Sequence, residues 1–507
     1  MAYSKSMMVV LWAYAAAAVL EILACSVPLL WPVRKACAGV TMLVSAACAT
    51  AVVVLYPGFF SAVLLAISLL RVFAMFRILH GRMHDRYMRI ASRRTVGILV
   101  AAQVVVVAVW QLWHLNPSHW TAVWVALGVL QCAVALMLLS ATIRRLRHTA
   151  WPATDRRYSD AELPTVTIAI PARNETEDLQ LCLESIIASD YPKLEVIVLD
   201  DCSQTRRTPE IIRGFAHDGV RFIRGEEPSE IWLPKNQAYN RLASEASGAY
   251  ILFCGVDIRL DPGALRSMVS VMLQRKKAML SVLPDRAPEV RNRFSPAQAM
   301  RYFWELVPPR RLFGKPPVLS SCWMVTKDAL HRNGGFEAVR RSITPEAYFA
   351  RQLAVSDEYS FMRAGDVLGV VSMKGLAEQR DTAMRIRYPQ LHRRPESVGM
   401  VSAAEILFLI APFVLAIGGY WFGIGLIPTL LAALASLLLA ITNALVAQAT
   451  HLSNSALGFI TLPYITAYDL VLMYYSMWRY EFSVVDWKGR NICVPAMHVI
   501  PRLPKIE

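Results

Sequence analysis

The chain has 507 residues, 55% of them apolar, with a mean hydropathy of +0.38 and a formal net charge of +15 at pH 7. So much apolar residue argues against an ordinary soluble protein, and nine scattered cysteines without a CxxC pair argue against a disulfide framework or a zinc site. The charge alone would suit nucleic acid, but the basic residues flank apolar runs, as in the cytoplasmic loops of membrane proteins: Arg34 and Lys35, the series from Arg71 to Arg94, then Arg144, Arg145 and Arg147.

In chain order, apolar runs near 7–30, 36–56, 59–77, 96–115 and 120–142 predict about five membrane spans, each long enough for a bilayer. Tyr56-Pro57-Gly58 marks a tight hairpin between the second and third. Arg77–Arg94 alternates basic and apolar residues and is expected on the membrane surface. The middle of the chain then reads as a soluble domain in which strands alternate with helices. Thr165–Ile170 is a β-branched strand ending at Pro171, and Leu179–Ile187 has helical apolar spacing. Val196–Leu199 is a buried strand running into Asp200-Asp201; Ile211–Phe215 is a short helix, and Val220–Ile223 and Tyr250–Phe253 are further strands. Such alternation implies a mostly parallel sheet, whose ligands bind beyond the carboxyl ends of the strands.

After Pro395 the apolar character returns near 402–419 and 421–446, a second hairpin around Gly418-Gly419. The run near 456–478 holds Pro463, Asp469 and several tyrosines, and is expected to be interfacial or re-entrant, because a full crossing would carry the basic end around Lys488 and Arg490 outside. The expected divisions are a membrane block over 1–150, a domain over 151–395, returning membrane or interfacial helices over 396–480 and a basic tail over 481–507.

The polar residues after the strands carry a resemblance. Ile170-Pro171-Ala172-Arg173-Asn174-Glu175, Asp200-Asp201-Cys202-Ser203, LPKNQAYNRL, GAYILFCGVDIRLDPGAL and SSCWMVTKDALHRNGGF occur in the order seen in family 2 glycosyltransferases, which have the GT-A fold. The resemblance implies an α/β GT-A (nucleotide-sugar-binding) cytosolic domain between two blocks of transmembrane α-helices. It implies a sugar moved from a nucleotide-diphosphate donor to a lipid or growing polysaccharide in the membrane, with no nucleic-acid partner. Membrane polysaccharide synthases and ceramide- or hopanoid-type lipid glycosyltransferases are the forms it is most similar to; the short match at Trp487-Lys488-Gly489-Arg490 points to the lipid-directed ones. The competing reading of the same residues is a degenerate transferase fold serving as a scaffold.

By that resemblance Glu175 and Asp201, with Asp200, Pro171 and Arg173 beside them, are expected to bind base and ribose. The alternative for Asp200, Asp201 and Ser203 is a helix cap. Family members place Asp-x-Asp after the fourth strand to hold a divalent cation, Mg2+ or Mn2+; here Gly255-Val256-Asp257 leaves Asp257 as the metal ligand, with Lys235 a further phosphate or base contact or, alternatively, a solvated surface lysine. The general base is expected at Ser356-Asp357-Glu358, with Glu358 abstracting and Asp357 beside it, and Glu346 as the alternative. Gln390-Leu391-His392-Arg393-Arg394 is similar to the family's Gln-x-x-Arg-Trp, which implies nucleotide contacts from Gln390 and Arg393. Basic residues before a membrane span also serve simply as anchors.

Overall fold

The computed structural model describes residues 34–55, 57–80, 117–152 and 158–493, less 230, 289–292, 310–315, 392, 394, 453, 454 and 483, with single positions among 10–20 and 102–106. Most of the expected spans 7–30 and 96–115, the surface segment beyond His80 and the tail beyond Cys493 lie outside the described residues. The chain divides into two compact units, Met1–Ala126 with Pro395–Met400, and Leu127–Arg394 with Val401–Glu507.

In the first unit, helices Arg34–Leu55 and Phe59–His80 pack as a hairpin about Pro57-Gly58. Ser61 closes the turn by accepting from the Gly58 amide at 2.9 Å. Arg71, expected among the loop cations, is instead 1% exposed inside this unit. It donates to Gln103 Oε1 at 2.8 Å, and Gln103 donates to Ser68 at 3.0 Å. A guanidinium in an apolar bundle is costly unless its N–H groups find such acceptors.

The second unit is built on strands β1 (Val166–Ala172), β2 (Leu194–Asp200), β3 (Val220–Arg224), β4 (Tyr250–Cys254), β5 (Ile258–Leu260), β6 (Met279–Leu283), β7 (Asp285–Arg286), β8 (Cys322–Thr326), β9 (Tyr359–Arg363) and β10 (Val370–Ser372). Seven form a mixed sheet in the order β3-β2-β1-β4-β8-β6-β9, and β5-β10-β7 form a small second sheet. β8 runs antiparallel between β4 and β6; the remaining neighbours in the large sheet are parallel. The arrangement is GT-A-like. The inner strands are buried on both faces, so they read as unbroken apolar runs (Ile168 to Ile170, Val196 to Leu199) rather than as alternation. Pro171 sits in β1 opposite Leu199 without breaking the sheet, because pairing with β4 has already ended at Ala169.

One apolar core runs from the sheet into the neighbouring helices. Phe253, Trp323, Phe336 and Phe349 belong to the same buried cluster as Ala135, Leu409, Leu439 and Ile465. Among the described residues three helices are long and apolar enough to cross a membrane: Thr121–Thr149, Ser397–Gly418 and Leu426–Ala449. The helix Ser455–Phe482 is not among them. Both of its ends meet the sheet domain. Just before it, Arg286 donates to the Leu452 carbonyl at 3.2 Å and His451 pairs with Asp285 at 3.0 Å; just after it, residues 488–490 touch the ends of β1 and β2. The helix therefore lies along the domain, packed on helices Pro296–Leu306 and Leu376–Gln390. Arg387 fixes this packing: it pairs with Glu405 at 3.0 Å and with Asp469, and stacks on Trp304.

Candidate active site

The carboxyl ends of β1 and β2 present the first group of acids. Asp200 turns back on its own chain, accepting from the Ser203 amide and hydroxyl, so it serves the turn. Asp201 is only 4% exposed; burial raises its carboxyl above the ordinary value, and Arg490, at 2.7 Å, pulls it back. Arg173 is a brace. Its guanidinium donates to the carbonyls of Asp201 and Cys202, each at 2.6 Å, and of Lys488 at 3.0 Å. The Glu175 backbone is held on both sides by the Thr208 hydroxyl at 2.8 Å, and its carboxylate pairs with Lys488. Beside these residues lies a cavity of about 810 Å3, lined by Asp200, Ser203, Gln204, Arg224 and Glu227 among others.

The second group follows β4. Asp257 Oδ2 accepts from Ser372 at 2.9 Å and lies 4.0 Å from Lys374 Nζ. Gly255 stands where the family has its first aspartate, and the space is used: a Cβ built there would come within 2.7 Å of Asp257 Oδ1. The glycine thus gives the remaining carboxylate room to fold back toward β4.

Lys235 opens the helix Pro234–Glu245 and points inward, its Nζ 5.1 Å from the Tyr239 ring centre. Burial lowers its pKa; Glu346 opposes this, while Lys374, Arg385 and Arg301 add to it. Glu346 lies in the first turn of the helix Pro345–Val355, 2% exposed, and its Oε2 has no hydrogen-bond partner among the described residues. A carboxylate oxygen buried without a donor is costly. The Lys235 charge should be lost as pH rises, and lost below the ordinary lysine value of 10.5, because its pKa is depressed. A turnover profile against pH should therefore fall early on its alkaline side, and Lys235→Arg should move that fall upward. An unmoved profile excludes Lys235 as the titrating group.

The expected base pair does not join this group. Asp357 and Glu358 lie in the turn before β9, at the amino ends of the parallel strands and so at the opposite edge from Asp201 and Asp257. Asp357 has a left-handed backbone (φ 56°), its side chain is 94% exposed, and it pairs with Lys277 at 2.9 Å; Glu358 pairs with Arg332 at 3.1 Å. The acidic pair is turn and surface chemistry. Glu346, the alternative, is buried at 2% exposure.

Arg393 also lies elsewhere, over the Tyr480 ring at 5.1 Å and 3.8 Å from Glu481. Gln390 lines a narrow cleft with Arg301, Trp304, Arg387 and Asp469, and His392 and Arg394 of the same motif are outside the described residues. From this helix it is Arg385 whose charge acts on Lys235. Sequence reasoning passed over Arg385, Arg301, Lys374 and Gln379, whose buried Oε1 is unpartnered.

Residues 167–334, which hold β1 to β8, match the family described as glycosyl transferase family 2. The chain carries a family 2 glycosyltransferase domain. Glycosyltransferase AglE from Haloferax volcanii is 34% identical over 99 residues, 19% of this chain and 31% of that protein. The 4,4'-diaponeurosporenoate glycosyltransferase of Staphylococcus aureus is 31% identical over 122 residues, 24% of this chain and 32% of that one. Ceramide glucosyltransferase from Komagataella phaffii is 29% identical over 116 residues, 21% and 22% of the two chains. The chain thus spans about a third or less of the length of these relatives. Among solved structures, a mannosyltransferase from Pyrobaculum calidifontis in complex with GDP-Man and Mn2+ aligns at a TM-score of 0.44 and 19% identity, over 71% of this chain and 99% of that one.

Proposed function

We propose that the chain is a membrane glycosyltransferase that moves a sugar, with inversion, from a nucleotide-diphosphate donor to a membrane-associated acceptor, a lipid or a growing polysaccharide. The observation that carries this reading is Glu346, a buried acid with a bare oxygen, whose charge acts on Lys235 as do those of Lys374, Arg385 and Arg301. The acceptor hydroxyl gives its proton to Glu346 as its oxygen attacks the anomeric carbon from the face opposite the diphosphate. The bond between that carbon and the phosphate oxygen breaks, and the nucleoside diphosphate leaves carrying the electron pair. Lys235, Lys374, Arg301 and Arg385 provide the fixed positive charge that this departure requires. A screen of nucleotide sugars against the purified protein, with and without membrane lipid, tests the reading by the nucleotide released. Release from one donor supports it; no release and no binding with any donor supports a scaffold.

The donor set suits a divalent cation through a single carboxylate. Asp257 has one oxygen engaged by Ser372 and the other in the space that Gly255 leaves, and Mg2+ or Mn2+ needs only one or two protein carboxylates when substrate phosphates complete the shell. Held there, the ion would add Lewis-acid charge to the leaving group. Asp257→Asn should then cost turnover about 10²-fold or more, several kcal/mol of charge stabilisation, and Mn2+ titrated with a nucleoside diphosphate should lose its bound paramagnetic signal in the variant. Full turnover in excess chelator leaves the leaving diphosphate to the protein's own cations.

The reading places the protein in the cell (inner) membrane as a multi-pass chain, with the domain over 151–395 on the cytoplasmic side beside Arg144, Arg145 and Arg147. The helix Ser455–Phe482, with both ends on the domain, then lies at the interface. Protease added to sealed, right-side-out cells should not cut between Trp151 and Pro395; cleavage there reverses the orientation.

A further inference from the structure

The tail of the chain returns to the mouth of the nucleotide pocket. Strands β11 (Asp486–Trp487) and β12 (Arg490–Asn491) form a two-residue hairpin. Its turn residues, Lys488 (φ 50°) and Gly489 (φ 78°), both have left-handed backbones, as the tightest hairpin turns require. Asp486 accepts from the Gly489 amide at 3.3 Å, and the Ile492 amide donates to the Val485 carbonyl at 2.9 Å, which extends the hairpin by one more pair. At its tip, the Lys488 ammonium meets Glu175 Oε1 and the Lys488 carbonyl receives Arg173. Arg490 reaches Asp201 Oδ2 at 2.7 Å with one nitrogen and Glu227 at 2.9 Å with another.

Two features distinguish a wall from a plug. Each acid gives the hairpin a single oxygen: Glu175 Oε2 and Asp201 Oδ1 have no side-chain partner among the described residues, so both can still accept from a ligand. The cavity beside them also stays open at about 810 Å3, a size ordinary for a small-molecule site, and Glu227, which Arg490 holds, is part of its lining. The Arg490 side chain is only 10% exposed, so solvent screens its charge weakly.

We propose that this hairpin is a wall of the donor site, in which Lys488 and Arg490 hold Glu175 and Asp201 in place and offer their remaining N–H groups to the phosphates of a nucleoside diphosphate. The inference rests on the transferase reading and assigns that site two residues from beyond the family 2 segment. The acids and the cations serve one ligand in two ways: the carboxylates suit N–H and hydroxyl donors of base and ribose, and the cations suit the anionic end.

The test is calorimetric titration of the full-length protein in detergent with uridine and guanosine diphosphates, at two salt concentrations. Arg490→Gln and Lys488→Gln should each weaken the nucleotide that binds by about 10-fold or more, the worth of a charge-assisted hydrogen bond, and should flatten the salt dependence. Arg490→Lys should recover part of the loss. Thermal unfolding of each variant is measured alongside; if Arg490→Gln unfolds early, Lys488→Gln decides. Unchanged affinity in both glutamine variants overturns the inference, and tighter binding overturns it in favour of a plug. Wild-type protein that binds neither nucleotide, and releases none in the donor screen, sinks the transferase reading itself, which keeps the two failures apart.

Discussion

Glu346→Gln should leave nucleotide-sugar affinity almost unchanged while turnover falls by about 10²–10⁴-fold, the contribution of a well-placed general base. Glutamine keeps the shape of the side chain and can still pack in the first turn of its helix, so the loss is chemical. The expectation follows from burial at 2% exposure, an oxygen without a donor, and the pairing in charge with Lys235. Glu358→Gln is the internal control: it removes a surface pair with Arg332 at the far edge of the sheet and should leave both constants as they were. Initial rates and donor titrations on the two variants decide the matter. A collapse confined to Glu358→Gln would restore the acidic turn as the source of the base.

The second large effect is expected on binding. Asp201→Ala should weaken the donor by roughly 10- to 100-fold, since a hydrogen bond to a charged acceptor contributes ~1.5–3 kcal/mol, with turnover at saturating donor far less affected. Burial raises the Asp201 carboxyl, so affinity should also fall, as pH drops, sooner than for an exposed aspartate. Asp200→Asn gives the contrast, because Asp200 is committed to Ser203 and the turn: it should lower the unfolding temperature more than it lowers affinity. Equal donor affinity in Asp201→Ala and the wild type would reduce the acid to a partner of Arg490.

The strands were legible because buried parallel strands leave an uninterrupted mark. Val196–Leu199 falls short of its strand, Leu194–Asp200, by two residues at one end and one at the other, Val220–Ile223 falls short of its strand by Arg224 alone, and Asp200 and Asp201 lie at the strand end where they were expected. The acidic residue of the chemistry was harder to place. Two adjacent acids drew the assignment to Asp357-Glu358, although an aspartate in a turn with positive φ is ordinary hairpin and loop behaviour. The better signal was local: Thr344-Pro345-Glu346 starts a helix with proline at its first position and an acid where the helix dipole favours negative charge. Lys374, Arg301 and Arg385 left no such trace. They come from a loop and two helices separated along the chain, and only tertiary folding gathers them around Lys235. The hairpin at Lys488 and Arg490 was noticed as a pattern, yet its place over Glu175 and Asp201 depends on the long helix before it running back along the domain.

The unbroken core has a consequence for handling the protein. Arg363, on the last strand of the sheet, donates all its bonds to the helices: Thr149 Oγ1 at 3.1 Å, the Leu146 carbonyl at 3.0 Å and the Ala449 carbonyl at 2.6 Å. Arg387 depends in the same way on Glu405 and Asp469. An excised fragment over 151–395 would strand both guanidinium groups and bare the apolar face now covered by Leu409, Leu439 and Ile465. Such a fragment should come out of a cell as aggregate, and the smallest preparation worth pursuing is one extracted with its helices, in detergent or lipid, from the first residues of the 121–149 helix through Cys493.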